Sequence, residues 1–234
     1  MSRVAIVAAI EREVRPLVKG WRISEREHEG RRIKVYEHGD VTVVCAGIGS
    51  VAARRAAEAV IALYNPEVIY SSGFAGALDS SLKVGEVIRP QRVVNAGDGS
   101  SVPLDGGKGV LVSFGSVATP QQKIKLREAY AAQAVDMEAS AVGRAAEARG
   151  IRFGAVKAIS DDSDFELPAM DRFVDGAGQF HELRFALFAA VRPWMWPQLA
   201  GLARNSARAA NALCGALEQT LRENFIGGSD SSGK

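Results

Sequence analysis

Cysteine is scarce in this sequence: Cys45 and Cys214 are the only two among 234 residues. Two thiols cannot build a disulfide framework and fit a reducing compartment, so a cytoplasmic protein is expected. Cys45, inside an apolar run, reads as a small core residue. An excess of charge is lacking too. Lys and Arg total 29 against 27 Asp and Glu, a net charge of +2, which argues against a nucleic-acid partner. No apolar window is long enough to cross a bilayer. The amino terminus begins on a strand-like run rather than on the charged-then-apolar layout of a secretion signal. His28, His38 and His181 do not fall at metal-ligand spacing with cysteines or acids, so they read as surface or structural residues and no metal is expected. The Gly-x-Ser-x-Gly elbow of serine hydrolases is missing. So are any internal repeat and any linker that would divide the core.

What is present is an ordinary globular balance, 47% hydrophobic and 24% charged, with enough length to bury a sizeable core. Residues 3–9 form a short, continuously apolar run, the mark of a strand covered on both faces. Residues 10–14 turn into a short helix. Residues 31–37 and 41–46 read as a hairpin about His38-Gly39-Asp40. Residues 51–64 form an alanine-rich helix capped by Ser50 and ended by Asn65-Pro66. Strands follow at 68–72, at 87–89 extended by 93–94, and at 110–114, with a surface loop over 95–109. Thr119-Pro120 opens a helix through Tyr130. A strand-helix-strand unit at 135–161 completes the alternation. Beyond residue 167 the pattern is helical, with one helix over 178–191, a stop at Pro193 and Pro197, and a second helix over 198–225. One α/β domain over residues 1–226 and a flexible tail over 227–234 are expected.

Three acids stand where strands run out: Glu13 after the first strand, Glu138 at the opening of a helix, and Asp161 at the end of Ala155-Val156-Lys157-Ala158-Ile159-Ser160. Ligands of open α/β sheets gather at the carboxyl ends of strands. Each acid alone has a plain reading, as a helix cap or as a charge favoured by the helix dipole. Three converging on one sheet mark a site. Two glycine clusters add to this. Gly47-Ile48-Gly49 lies between a strand and a helix amino terminus, where an anion can bind, but it lacks the third glycine of a dinucleotide fingerprint and the lysine of a P-loop. Gly73-Phe74-Ala75-Gly76 lets a ligand approach the backbone, as it would also let the chain turn.

Six motifs then occur in one order: Ala9-Ile10-Glu11-Arg12-Glu13-Val14, Ala46-Gly47-Ile48-Gly49-Ser50-Val51-Ala52-Ala53, Ser72-Gly73-Phe74-Ala75-Gly76, Leu82-Lys83-Val84-Gly85-Glu86, Val135-Asp136-Met137-Glu138-Ala139 and Ala158-Ile159-Ser160-Asp161. Through them residues 4–165 resemble the nucleoside phosphorylase superfamily, and within it the methylthioadenosine/S-adenosylhomocysteine nucleosidases. The resemblance implies a three-layer α/β/α fold with a central mixed, partly barrel-like sheet, a nucleoside substrate, a homodimer, a place in methionine salvage and no cofactor. It implies that Asp161 donates a proton or hydrogen bond to purine N7, a role suited to a carboxyl whose pKa an enclosed site raises. Glu138 would grip the ribose hydroxyls, Met137 would lie against the sugar, and Glu13 would deprotonate the attacking water. Val117-Ala118 would read the adenine edge through the backbone. Ile48, Gly73, Phe74, Ala75 and Ser160 would complete the substrate-binding set.

Phosphate, an anion, needs arginines or exposed amides, whereas water needs a carboxylate. Glu13 stands where the resembling phosphorylases carry a glycine-rich anion loop. Ser71 and Phe74 stand where they carry an arginine and a serine. Hydrolysis of a 5′-modified adenosine is therefore the expected reaction. Two alternatives stay open: a phosphorylase, including one acting on a lipid-linked adenosyl substrate of the hopanoid-associated kind, and a nucleoside-binding module without turnover. The sequence departs from the nucleosidase pattern at Phe74, usually a small hydroxyl residue, at Val117, usually an aromatic, and at Lys157, usually an arginine. The carboxy-terminal third departs most. Trp194 and Trp196 lie within a stretch from Glu182 to Arg222 that holds five arginines and two acids. It reads either as a core helix followed by an interface helix or as a membrane-surface or lipid contact through the two tryptophans.

Overall fold

A computed structural model describes residues 4–165 and 196–227. The expected apolar run forms β1 (Val4–Ala8), and every residue of it is buried. Its side chains alternate between two cores: Val4, Ile6 and Ala8 face one, and Ala5 and Val7 face the other. A strand so covered has no polar face to offer, which is why its sequence does not alternate. Next come α1 (Glu11–Val18) and the antiparallel strands β2 (Arg22–His28), β3 (Arg31–His38) and β4 (Val41–Cys45). The expected hairpin is β3–β4. β2 escapes the sequence reading because it is charged and largely exposed, carrying little hydrophobic period. Helix α2 (Ser50–Tyr64) starts one residue earlier than expected, and its cap is Gly49 with no side-chain bond, so Ser50 is not the cap.

The long strand β5 (Val68–Ala77) runs straight through the glycine cluster, further than the expected 68–72. Then follow β6 (Val87–Ile88), β7 (Arg92–Asn95), β8 (Ser101–Pro103) and β9 (Val110–Ser113). Two expectations change here. Residues 87–94 make two strands rather than one, and the stretch over 95–109 contains β8, paired with β7. Arg144 pins the intervening turn by donating to Ser100 Oγ at 2.7 Å and lying 3.4 Å from Asp98. The chain continues through α3 (Pro120–Tyr130), capped by Thr119 as expected, β10 (Ala134–Asp136), α4 (Ala139–Glu147), β11 (Arg152–Asp161) and α5 (Trp196–Gly227).

The eleven strands form one mixed sheet with helices on both faces, a three-layer α/β/α arrangement. α1 and α5 cover one face, and α2 and α4 cover the other. α5 is a core element along one face. Ala209, Leu213, Leu217 and Leu221 recur at four-residue steps and are buried against α1 and the sheet. The tryptophan expectation lies outside the described residues: Trp194 is not among them, and Trp196 is described only as the first backbone position of α5. The helix over 178–191 lies outside them too. Among the described residues no helix is long and apolar enough to cross a membrane.

β5 positions the site. β11 pairs along one edge of it, while the other edge is shared by β1 at residues 68–71 and β10 at residues 76–77. Between those two partners the edge is open, and the sheet forks. Farther along, β11 breaks register with β5 between Ile159 and Asp161, a bulge that redirects the last side chain of the strand.

Candidate active site

At the fork lies a cavity of about 540 Å³. Glu13, Glu138 and Asp161 all line it, so the three acids separated by up to 148 positions in the sequence do converge. Ile48, Phe74, Ala75, Val117, Ala118, Met137 and Ser160 line it as well. Gly73 does not; it lies behind Glu13 instead. Leu202 and Ser206 of α5 add a wall that sequence reasoning did not anticipate, because nothing in α5 marks which turn faces a cavity.

Glu13 is 4% exposed. Its Oε2 accepts from the amides of Ala9 (3.0 Å) and Ile10 (3.1 Å), and its Oε1 accepts from the amide of Phe74 (3.1 Å) at the fork. The first two are the free amides that precede α1, so Glu13 does cap its own helix. The third bond, from another strand, makes it more than a cap. Burial raises the Glu13 pKa, while the three amides and the charge of Lys157 pull against that rise. Gly73, at φ +144°, sits so close that a Cβ would lie 3.0 Å from both carboxylate oxygens.

Glu138 accepts from the Gly49 amide at 2.8 Å. The glycine turn before α2 therefore presents its amide to a carboxylate of the protein itself. Burial, then repulsion from Asp136, raises the Glu138 pKa to about 7, against the pull of Lys157 and the Gly49 amide. Beneath it lies a buried pair: Lys157 Nζ is 2.8 Å from Asp136 Oδ2, with both side chains at most 1% exposed. Asp136 also accepts from Ser113 Oγ (2.6 Å) and from the Ala139 amide (2.9 Å), so it secures the start of α4. For Lys157, burial works against the charged form, but Asp136, Glu138 and Glu13 outweigh it and the pKa is raised.

Asp161 is 3% exposed. Its Oδ1 accepts from Ser160 Oγ (2.7 Å) and its Oδ2 from Lys123 Nζ (2.5 Å). The carboxyl is enclosed, and an ammonium is its partner. Gly76 makes room here as Gly73 does for Glu13: a Cβ would lie 2.8 Å from Asp161 Oδ2. Sequence reasoning missed Lys123, Asp136 and the partners of Lys157. The available signals were a lysine inside an apolar, doubly covered strand, and Lys123 on the inward stripe of α3 with Leu126. Among the described residues no group of three or more His, Cys, Asp or Glu is placed to hold a metal ion. His38 stacks on Trp21 at 5.3 Å, a structural role, and His181 is outside the described residues. Cys45 and Cys214 are free thiols.

Comparison with known proteins starts from the family model described as the phosphorylase superfamily, which matches residues 3–119 and 108–182. The chain belongs to the phosphorylase superfamily. Among its relatives, the 5′-methylthioadenosine/S-adenosylhomocysteine nucleosidase of Buchnera aphidicola is 27% identical over 199 residues, covering 69% of this chain and 86% of that protein. The nucleosidase of the same name from Staphylococcus epidermidis is 27% identical over 196 residues, covering 68% and 86%. Solved structures share the fold. A 5′-methylthioadenosine/S-adenosylhomocysteine nucleosidase from Helicobacter pylori superposes with a TM-score of 0.71 at 17% identity, covering 95% of this chain and 98% of that one. Futalosine hydrolase from Helicobacter pylori superposes at 0.67 and 18% identity, covering 93% and 98%.

Proposed function

We propose that this phosphorylase-superfamily chain is a nucleosidase that hydrolyses the N-glycosidic bond of a 5′-modified adenosine, of the methylthioadenosine/S-adenosylhomocysteine kind, and releases adenine. The observation that carries the choice of water over phosphate is the seat of Glu13. Three backbone amides that could cradle an anion are already filled by this carboxylate, and the amide before α2 is filled by Glu138. A phosphate placed among them would meet two carboxylates in a low-dielectric cavity and find their amides engaged. A water molecule meets a base instead.

In this reading Glu13, with its pKa raised by burial, takes a proton from water as the water oxygen bonds to the anomeric carbon. The glycosidic bond breaks and its electron pair leaves with the purine. Glu138 holds the ribose hydroxyls and favours the developing positive charge on the sugar. Asp161 serves purine N7, and the Val117-Ala118 backbone serves the adenine edge. Relatives named for methylthioadenosine and S-adenosylhomocysteine support the substrate class. A cytoplasmic homodimer acting in methionine salvage belongs to the same proposal. The test is adenine release from methylthioadenosine, S-adenosylhomocysteine, 5′-deoxyadenosine and inosine, each with and without phosphate. Release independent of phosphate is expected. Strict dependence on phosphate would replace the hydrolase by a phosphorylase, and binding without turnover would leave a nucleoside-binding module.

A further inference from the structure

Lys123 is a buried lysine, 2% exposed, that lines the cavity from α3 and meets the end of β11. Its Nζ donates to Asp161 Oδ2 at 2.5 Å and to the carbonyl of Asp162 at 2.7 Å, with the carbonyl of Phe165 at 3.5 Å. Burying an ammonium is costly, and a plain structural anchor for these carbonyls would not need one. The other carboxylate oxygen accepts from Ser160 Oγ at 2.7 Å. With a donor on each oxygen, Asp161 is arranged as a carboxylate that receives hydrogen bonds. Lys123 is thus the cationic donor on that carboxylate. That matters because a departing purine becomes basic at N7 as it takes the electrons of the glycosidic bond, and a proton must reach it.

We propose that Lys123 is a positioning residue for the leaving group, holding Asp161 in place and supplying through it the proton that N7 receives. The inference rests on the nucleosidase reading above. As the glycosidic bond breaks, one Nζ–H bond of Lys123 breaks and its proton joins the Asp161 carboxyl, which passes a proton to N7. Lys123 is left as a neutral amine. The proton released by the attacking water goes to Glu13. Once products leave, Glu13 returns its proton to solvent and Lys123 regains one, so the cycle closes with water as the only co-reactant.

The discriminating variant is Lys123→Arg, because a guanidinium keeps the charge of the pair yet does not give up a proton in a protein. It is paired with Lys123→Met, which removes the charge. Each is compared with the parent on methylthioadenosine and on a 4-nitrophenyl 5-methylthioriboside, whose leaving group departs without protonation. Both variants should lose about 100-fold in kcat on methylthioadenosine, with KM within about threefold and near-parental rates on the nitrophenyl substrate. Should Lys123→Met fail to fold, the Arg variant decides alone, since it preserves the ion pair. Parental kcat for Lys123→Arg on methylthioadenosine would overturn proton supply, and so would an equal loss on both substrates, the mark of a structural role. Failure of the parent chain to release adenine without phosphate would instead count against the nucleosidase reading.

Discussion

The carboxylate of Glu13 lies against the Cα of Gly73, so close that a methyl group on that carbon would stand 3.0 Å from each of its oxygens. Gly73 is thereby tied to the proposed base although it does not line the cavity. It also sits at φ +144°, where side-chain-bearing residues are strained. Gly73→Ala should cost about 1–3 kcal/mol in urea unfolding. It should also lower kcat by displacing Glu13, with a smaller change in KM. A parental kcat in initial-rate measurements would mean that Glu13 tolerates displacement and is not the base.

Glu13→Gln should abolish hydrolysis while leaving ligand binding largely intact. The amide has one accepting oxygen where the carboxylate has two, so one of the N–H groups of Ala9, Ile10 and Phe74 will face an NH₂ group. A buried donor left without an acceptor costs about 1–3 kcal/mol. Calorimetric titration with adenine, alongside turnover, separates the two effects. Turnover at the parental rate would assign the base elsewhere.

The raised pKa of Glu138 makes a signed prediction about pH. Its value in the folded chain is about 7 against an ordinary 4.5, so between those values the folded chain binds more protons than the unfolded one. The contribution of Glu138 to stability is full below pH 4.5 and is lost as pH rises through 7. Activity should run the other way, because in the proposed reaction the ionised form grips the ribose: kcat/KM should rise through an acid limb with a midpoint near 7. Glu13, also raised, should steepen that limb beyond a single proton. Glu138→Gln should reduce the slope to one proton, and an unchanged slope would show that Glu138 does not titrate in the free enzyme.

Lys157→Met should be the most damaging of these substitutions to the fold. It leaves Asp136 buried without its cation, a loss of about 3–5 kcal/mol in urea unfolding. It also removes a charge that holds the Glu138 and Glu13 pKa values down. The acid limb of kcat/KM should therefore move to higher pH in whatever fraction stays folded. A limb that stays in place would separate Lys157 from the site electrostatically.

Much of this protein is legible in its residues. The continuous apolar run of β1, the alanine-rich α2, the Thr119-Pro120 start of α3 and the Leu213-Leu217-Leu221 stripe of α5 each carry their local structure in composition and period, because burial on a face demands apolar residues at that spacing. The three acids are legible too, since each stands where a strand ends. The charged β2 and the polar β8 are not, because exposed strands held by their neighbours' hydrogen bonds need no hydrophobic pattern.

The sequence by itself determined that three acids stand at strand ends, and so which groups are candidates for chemistry. Only the tertiary structure decided what surrounds them. The fork in β5 opens the edge from which the Phe74 amide reaches Glu13, and the break in register before Asp161 redirects its carboxylate. Packing of α3 against the sheet brings Lys123 to an acid 38 residues away. None of these is a local property. Strand pairing and register are set by contacts between segments far apart in the chain, and the charge state of a buried acid is set by whichever partner those contacts deliver.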